Sequence, residues 1–194
     1  MTKRVKTLLL VSIICGIAIL GLLGSLLYYE KDVLAYLYNE IVVKGKAFAF
    51  TRPASEIEFV SGGLTLRGSL YLPNGKGPFP GIVFTHGGTN EGRNLPLYRV
   101  LSYKLARRGY AVLSFDFRGY GESEDPKKFD TPADLDFVED VVQAVSYLSS
   151  VEGVDSSKIY LVGHSFGAGV IVPAGVQDKR VKGIVAIAPG RRGY

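Results

Sequence analysis

The chain has 194 residues, 47% hydrophobic, 11% aromatic and 21% charged, with a formal charge of +5, a composition that fits one folded domain plus an unusually apolar segment. Three of the positive charges, Lys3, Arg4 and Lys6, fall at the very start. The remainder is nearly balanced and carries no basic stripe to follow a phosphate backbone, which argues against a nucleic-acid partner.

The apolar segment is Leu8 to Leu27, LLLVSIICGIAILGLLGSLL, which contains no charge and as a helix spans roughly 30 Å, about one bilayer core. Basic residues precede it and Tyr28 and Tyr29 follow it, the flanks of a single-pass anchor with a cytoplasmic N-terminus. The expectation is a membrane anchor in contact with lipid through residues 8–27, with the rest of the chain extracytoplasmic. A cleaved signal peptide would need a shorter apolar run and a small-x-small site, and Gly16-Ile17-Ala18 is followed by further apolar sequence. Cys15 is the only cysteine, so no internal disulfide is available. Ser12 and Ile14 before it do not suit a lipoprotein site, and Cys15 reads as a small residue facing lipid.

Residues 30–53 form a juxtamembrane linker mixing Tyr, Leu and Val with charges, and Thr51-Arg52-Pro53 breaks any helix. The folded domain is expected over 54–194. EIEFVS and LTLRGSLYL alternate on either side of Gly62-Gly63 and predict an antiparallel hairpin. PGIVFT (80–85), YAVLSFD (110–116), KIYLVG (158–163) and VKGIVAIA (181–188) are short and nearly all apolar, as in strands of a parallel sheet covered on both faces. Between them the spacing predicts helices over 95–108 and 135–148. The second places Leu135, Val138, Val142, Val145 and Leu148 on one stripe behind a Thr131-Pro132-Ala133-Asp134 cap. A third helix should start at Ser165. Strands alternating with helices through short loops give an α/β domain with a mostly parallel sheet.

The chemistry concentrates in Gly163-His164-Ser165-Phe166-Gly167, a G-x-S-x-G placed after an apolar strand and before a small-residue helix. Gly163 and Gly167 allow the sharp turn that lifts a serine hydroxyl to the carboxyl end of the sheet. There Ser165 is a candidate nucleophile and the Phe166 N–H a candidate oxyanion donor. His86-Gly87-Gly88-Thr89 follows the strand PGIVFT and can turn a second donor toward the same carbonyl. Gly88 is the first choice, with Gly87 and Thr89 as alternatives. His86 and His164 are the only histidines. They match no metal-ligand spacing, so neither a metal nor a cofactor is expected. His164 precedes Ser165 on the turn, so its side chain should point away from the serine hydroxyl.

The hairpin, HGG after the third strand, FDFRGYGES after the fourth and GHSFG after the fifth, in this order, resemble the α/β-hydrolase superfamily, on the side of serine esterases, serine aminopeptidases and dienelactone-hydrolase-like enzymes. The resemblance covers about residues 55 to 190. It implies an acyl-enzyme route on Ser165 with an ester, thioester or amide, so that the partner is a small-molecule or peptide acyl substrate. It also implies structural roles for Asp116 and Arg118, whose charges could pair with each other or with backbone. In that superfamily the acid follows the seventh strand and the histidine the eighth. The resemblance therefore places both, with the last two strands, beyond residue 194, and leaves the sixth strand as an apolar edge. An acyltransferase of the same fold, or a non-catalytic binding or anchoring module, remains an alternative.

Overall fold

The computed structural model describes residues 53–128 and 135–189, all within one compact unit, Ala47–Tyr194. The expected anchor at 8–27, almost all of the linker and the expected cap at 131–134 lie outside the described residues. Among the described residues no helix is long and apolar enough to cross a membrane.

Strands β1 (Ser55–Ser61) and β2 (Leu64–Tyr71) form the expected hairpin, in register Ser61↔Leu64 and Phe59↔Leu66. Its two turn residues, Gly62 and Gly63, have φ of +55° and +79°. Positive φ at both positions is what a two-residue turn matched to strand twist requires, and glycine adopts it without steric cost.

Strands β3 (Phe79–Thr85), β4 (Ala111–Phe115), β5 (Val154–His164) and β6 (Val181–Ile187) extend the sheet in the order β1-β2-β4-β3-β5-β6. The β3–β4, β3–β5 and β5–β6 pairs are parallel, and β2 joins β4 antiparallel. β5 starts earlier than its apolar run predicts. Its first residues, Val154 and Asp155, pair with Phe79 and Pro80 ahead of a register shift, and the polar Ser156-Ser157-Lys158 in between is exposed.

Helix α1 (Pro96–Ala106) lies on one face of the sheet, where Tyr98 and Ala106 pack with Tyr71, Ile82, Phe84 and Val112. Helices α2 (Phe137–Ser150) and α3 (Phe166–Gln177) cover the other, against Val83, Leu113, Phe115, Ile159 and Leu161. Neighbouring residues of β3 and β4 thus serve opposite faces, as the pleat demands. Full burial of each such aliphatic chain contributes about 1.5–3 kcal/mol.

Helix α2 departs from its predicted stripe. The buried residues are Asp140, Val141, Ala144, Val145 and Leu148, while Val138 and Val142 are only partly buried. Its N-cap is Asp136, whose carboxylate accepts from the Glu139 N–H at 3.0 Å. The roll toward Asp140 is fixed by an ion pair with Arg118 beneath the helix. β6 is one edge of the sheet among the described residues, and Val185 and Ile187 remain 55% and 39% exposed there.

Candidate active site

Strand β5 ends at His164 and α3 begins at Phe166, so Ser165 alone makes the turn between them, at φ 50° and ψ −112°. A non-glycine residue in this region costs on the order of 1–3 kcal/mol and persists only where its surroundings over-determine it. Those surroundings are visible. The Ser165 N–H donates to Ile187 O of β6 at 2.9 Å, and the Gly167 N–H donates to His86 O at the end of β3 at 3.1 Å. A Cβ on Gly163 would lie 2.7 Å from Thr85 Oγ1, and one on Gly167 would lie 2.5 Å from His86 O. The first turn of α3 therefore packs onto β3 at a distance that only glycine permits. Both glycines that the sequence flags around Ser165 thus sit where a side chain would clash.

The loop after β3 is brought against this elbow. A Cβ on Gly87 would lie 3.3 Å from Ser165 Cβ, and one on Gly88 would lie 4.0 Å from Phe166 Cβ. Of the three amides considered as the second donor, two are engaged: Gly87 N–H donates to Tyr98 Oη at 2.8 Å and Thr89 N–H donates to Gly87 O at 2.8 Å. Among the described residues the Gly88 N–H has no acceptor. Gly88 is also exposed, so this amide faces space that a substrate can occupy.

The direction of that amide follows from the histidine before it. His86 Nε2 accepts from the Phe117 N–H at 3.2 Å, so the ring proton sits on Nδ1, 2.6 Å from Gly87 O. Gly87 O and Gly88 N–H belong to one planar trans peptide, and holding the carbonyl fixes the opposite direction for the amide. His86 is fully buried. Burial pushes its pKa below the ordinary 6.5, with the Gly87 hydrogen bond and the Asp116 charge opposing. A neutral ring with both nitrogens committed is a strut and not a base.

His164 Nδ1 lies 3.0 Å from Tyr98 Oη. The rings of Phe117, Tyr120 and Phe137 surround Phe166 at centroid distances of 5.4, 5.7 and 5.0 Å, giving the site an aromatic wall.

Asp116 and Arg118 do not pair with each other. Asp116 accepts from the Arg93 N–H at 2.6 Å and the Glu122 N–H at 3.0 Å and is ion-paired with the Arg93 guanidinium. Arg118 donates to Asp140 from Nε at 3.0 Å and Nη2 at 2.6 Å, and Ser61 Oγ donates to the same carboxylate at 2.7 Å. Strand β4 ends at Phe115, so pleat alternation does not set their directions: Asp116 turns to Arg93 and Arg118 to Asp140 of α2. Arg93, Tyr98 and Asp140 escaped the sequence reading: no motif contains them, and charged residues in amphipathic stretches ordinarily mark the solvated side. Among the described residues no group of three or more His, Cys, Asp or Glu side chains could hold a metal ion.

The serine aminopeptidase S33 family model matches residues 78–193, from β3 through the elbow and β6. The chain belongs to that family. Esterase EstD of Thermotoga maritima is 34% identical over 133 residues, covering 66% of this chain and 31% of the relative. Thiohydrolase aneE of Aspergillus aculeatus is 35% identical over 136 residues, covering 70% of this chain and 41% of the relative. The α/β hydrolase GrgF from Penicillium sp. sh18 superposes with a TM-score of 0.60 at 29% identity, over 70% of this chain and 45% of that one. The chain thus spans less than half the length of each of these relatives. The α/β-hydrolase fold with its antiparallel hairpin and mostly parallel sheet is shared with this family.

Proposed function

We propose that the protein is a serine hydrolase that cleaves an ester, thioester or amide through an acyl-enzyme on Ser165. The observation that carries this reading is the conjunction at the elbow. A serine held at φ 50° at the C-terminal end of β5 stands beside a Gly88 N–H that is oriented and, among the described residues, has no acceptor. In this mechanism Ser165 Oγ attacks the acyl carbonyl, the Oγ–C bond forms, and the carbonyl electron pair moves to oxygen. The Gly88 and Phe166 N–H groups receive that oxyanion, assisted by the N-terminus of α3. Collapse expels the alcohol, thiol or amine, and water then attacks the acyl-serine to release the acid.

Proton transfer from Ser165 needs a base. His86 has both ring nitrogens occupied and His164 is turned to Tyr98, so the base in this reading is a histidine outside these 194 residues, oriented by an acid also outside them. The names of the relatives, an esterase and a thiohydrolase, support acyl chemistry at an oxygen or sulfur leaving group. Residues 8–27 anchor the enzyme in this reading, with the hydrolase domain extracytoplasmic. Protease protection of the domain in intact cells would overturn that placement.

The deciding experiment is covalent labelling of the full-length protein in detergent by a fluorophosphonate, read by intact mass. One adduct on the wild type and none on Ser165→Ala is expected. An unlabelled wild type, or equal labelling of both, overturns the assignment of Ser165 as nucleophile.

A further inference from the structure

Tyr98 is the side chain that ties the two halves of the site together. It sits in the first turn of α1, behind Pro96, and is 1% exposed. Its ring packs beside Phe84, His86 and His164 at centroid distances of 5.9, 6.3 and 5.9 Å. The hydroxyl accepts from the Gly87 N–H at 2.8 Å and lies 3.0 Å from His164 Nδ1. A phenol has one hydrogen to donate, and among the described residues His164 Nδ1 is the acceptor within reach. The bridge therefore runs from the Gly87 amide, through the Tyr98 hydroxyl, to His164. It requires His164 to keep Nδ1 unprotonated and to carry its hydrogen on Nε2.

The space between these groups is closed. A Cβ on Gly87 would meet Tyr98 Oη at 2.9 Å, His164 Nδ1 at 3.1 Å and Ser165 Cβ at 3.3 Å. Gly87 is thus wedged between the tyrosine hydroxyl and the nucleophile's own carbon. The peptide before it is held at both ends, by Gly167 N–H on His86 O and by Tyr98 on Gly87 N–H. The peptide after it carries the Gly88 N–H. Loss of the hydroxyl would free one end of the first peptide, and the second would turn with it.

We propose that Tyr98 is a positioning residue for catalysis, whose hydroxyl bridges the Gly87 amide to His164 and so sets how near the Gly88 N–H, aimed by His86, is held to Ser165. This rests on the serine-hydrolase reading of the site. Burial raises the Tyr98 pKa above its ordinary 10.0, opposed by the Gly87 amide, so the hydroxyl keeps its proton at neutral pH. Helix α1 thereby becomes part of the active site although it contributes no group that touches substrate.

The test is Tyr98→Phe in the full-length protein, which removes one oxygen and leaves the ring packing. It is compared with wild type and Ser165→Ala on a p-nitrophenyl ester. A misaligned oxyanion donor lowers kcat by about 10- to 100-fold, short of the loss from deleting such a donor outright, with KM within about 2-fold because the ground state does not use it. In parallel, nitrogen-15 spectra of His164 report the Nε2–H tautomer in the wild type and a mixture of tautomers in Tyr98→Phe. A kcat equal to wild type, or a KM change without a kcat change, overturns the positioning role. An unchanged His164 signature overturns the bridge. If the wild type itself turns over no faster than Ser165→Ala, the hydrolase reading fails instead, and the tautomer shift still decides whether the bridge exists.

Discussion

Two polar regions lie close together at the C-terminal ends of the strands, and they differ in what they leave over. In the floor, built on Asp116 and Arg118, the charged groups meet protein partners: Arg93 and two amides for Asp116, Asp140 and Ser61 for Arg118. At the elbow, the backbone is just as constrained, yet among the described residues the Gly88 amide ends without a partner. Groups saturated by one another stabilise a fold, whereas groups held rigid but unsaturated are available to a ligand. The segment FDFRGYGES is thus tied up in internal pairing, whereas the turn at GHSFG adjoins an amide left open to a ligand.

The comparison breaks if the floor proves expendable. Arg118→Ala strands the buried Asp140 carboxylate, whose side chain is 0% exposed, and is expected to cost about 3–5 kcal/mol in urea unfolding. A loss below about 1 kcal/mol would mean that solvent reaches Asp140 and the floor is not closed.

Gly167→Ala comes next. Its methyl would sit 2.5 Å from His86 O, backbone that cannot step aside, and the expected cost is about 1–3 kcal/mol, with fluorophosphonate labelling of Ser165 lost as well. Retained labelling would show that α3 can slide away from β3 without disturbing the nucleophile.

Acid sharpens the contrast through His86. Its folded pKa is depressed below 6.5, so above that pH the ring is neutral in both folded and unfolded chains. As pH falls below 6.5 the unfolded ring takes a proton that the folded ring refuses, and stability falls with a limiting slope of about 1.4 kcal/mol per pH unit. Unfolding free energies of wild type and His86→Asn between pH 7 and about 5 should converge as the pH falls; parallel curves would contradict the strut role.

The smallest effect has the opposite sign. Ser165→Gly removes the side chain from a positive-φ position and should stabilise the fold by about 1 kcal/mol while abolishing labelling. Stability lost instead would mean that the Ser165 hydroxyl belongs with the saturated groups.

Much of this was legible in the sequence. Strand and helix periods separated the hairpin from the parallel sheet, and glycine spacing around Ser165 and after His86 marked the two segments that the fold packs together. The burial of Asp140 was not legible, because the signal that rolls α2 inward is a cation on another segment, Arg118. The early start of β5 was hidden because its pairing with β3 is backbone pairing, indifferent to the polar side chains of Ser156 and Ser157. Tyr98 was invisible for a related reason: its contacts are made by one hydroxyl whose two partners lie 11 and 66 residues away in the chain.

The hydrogen bond from the Ser165 amide to Ile187 O at 2.9 Å has a spectroscopic meaning. It closes the Ser165 amide with a carbonyl of β6, so deuterium can enter there only when β6 lifts from the sheet. One amide signal therefore clocks the lifetime of the sheet edge, and any ligand or chain segment that secures β6 will be read at Ser165 as slower exchange.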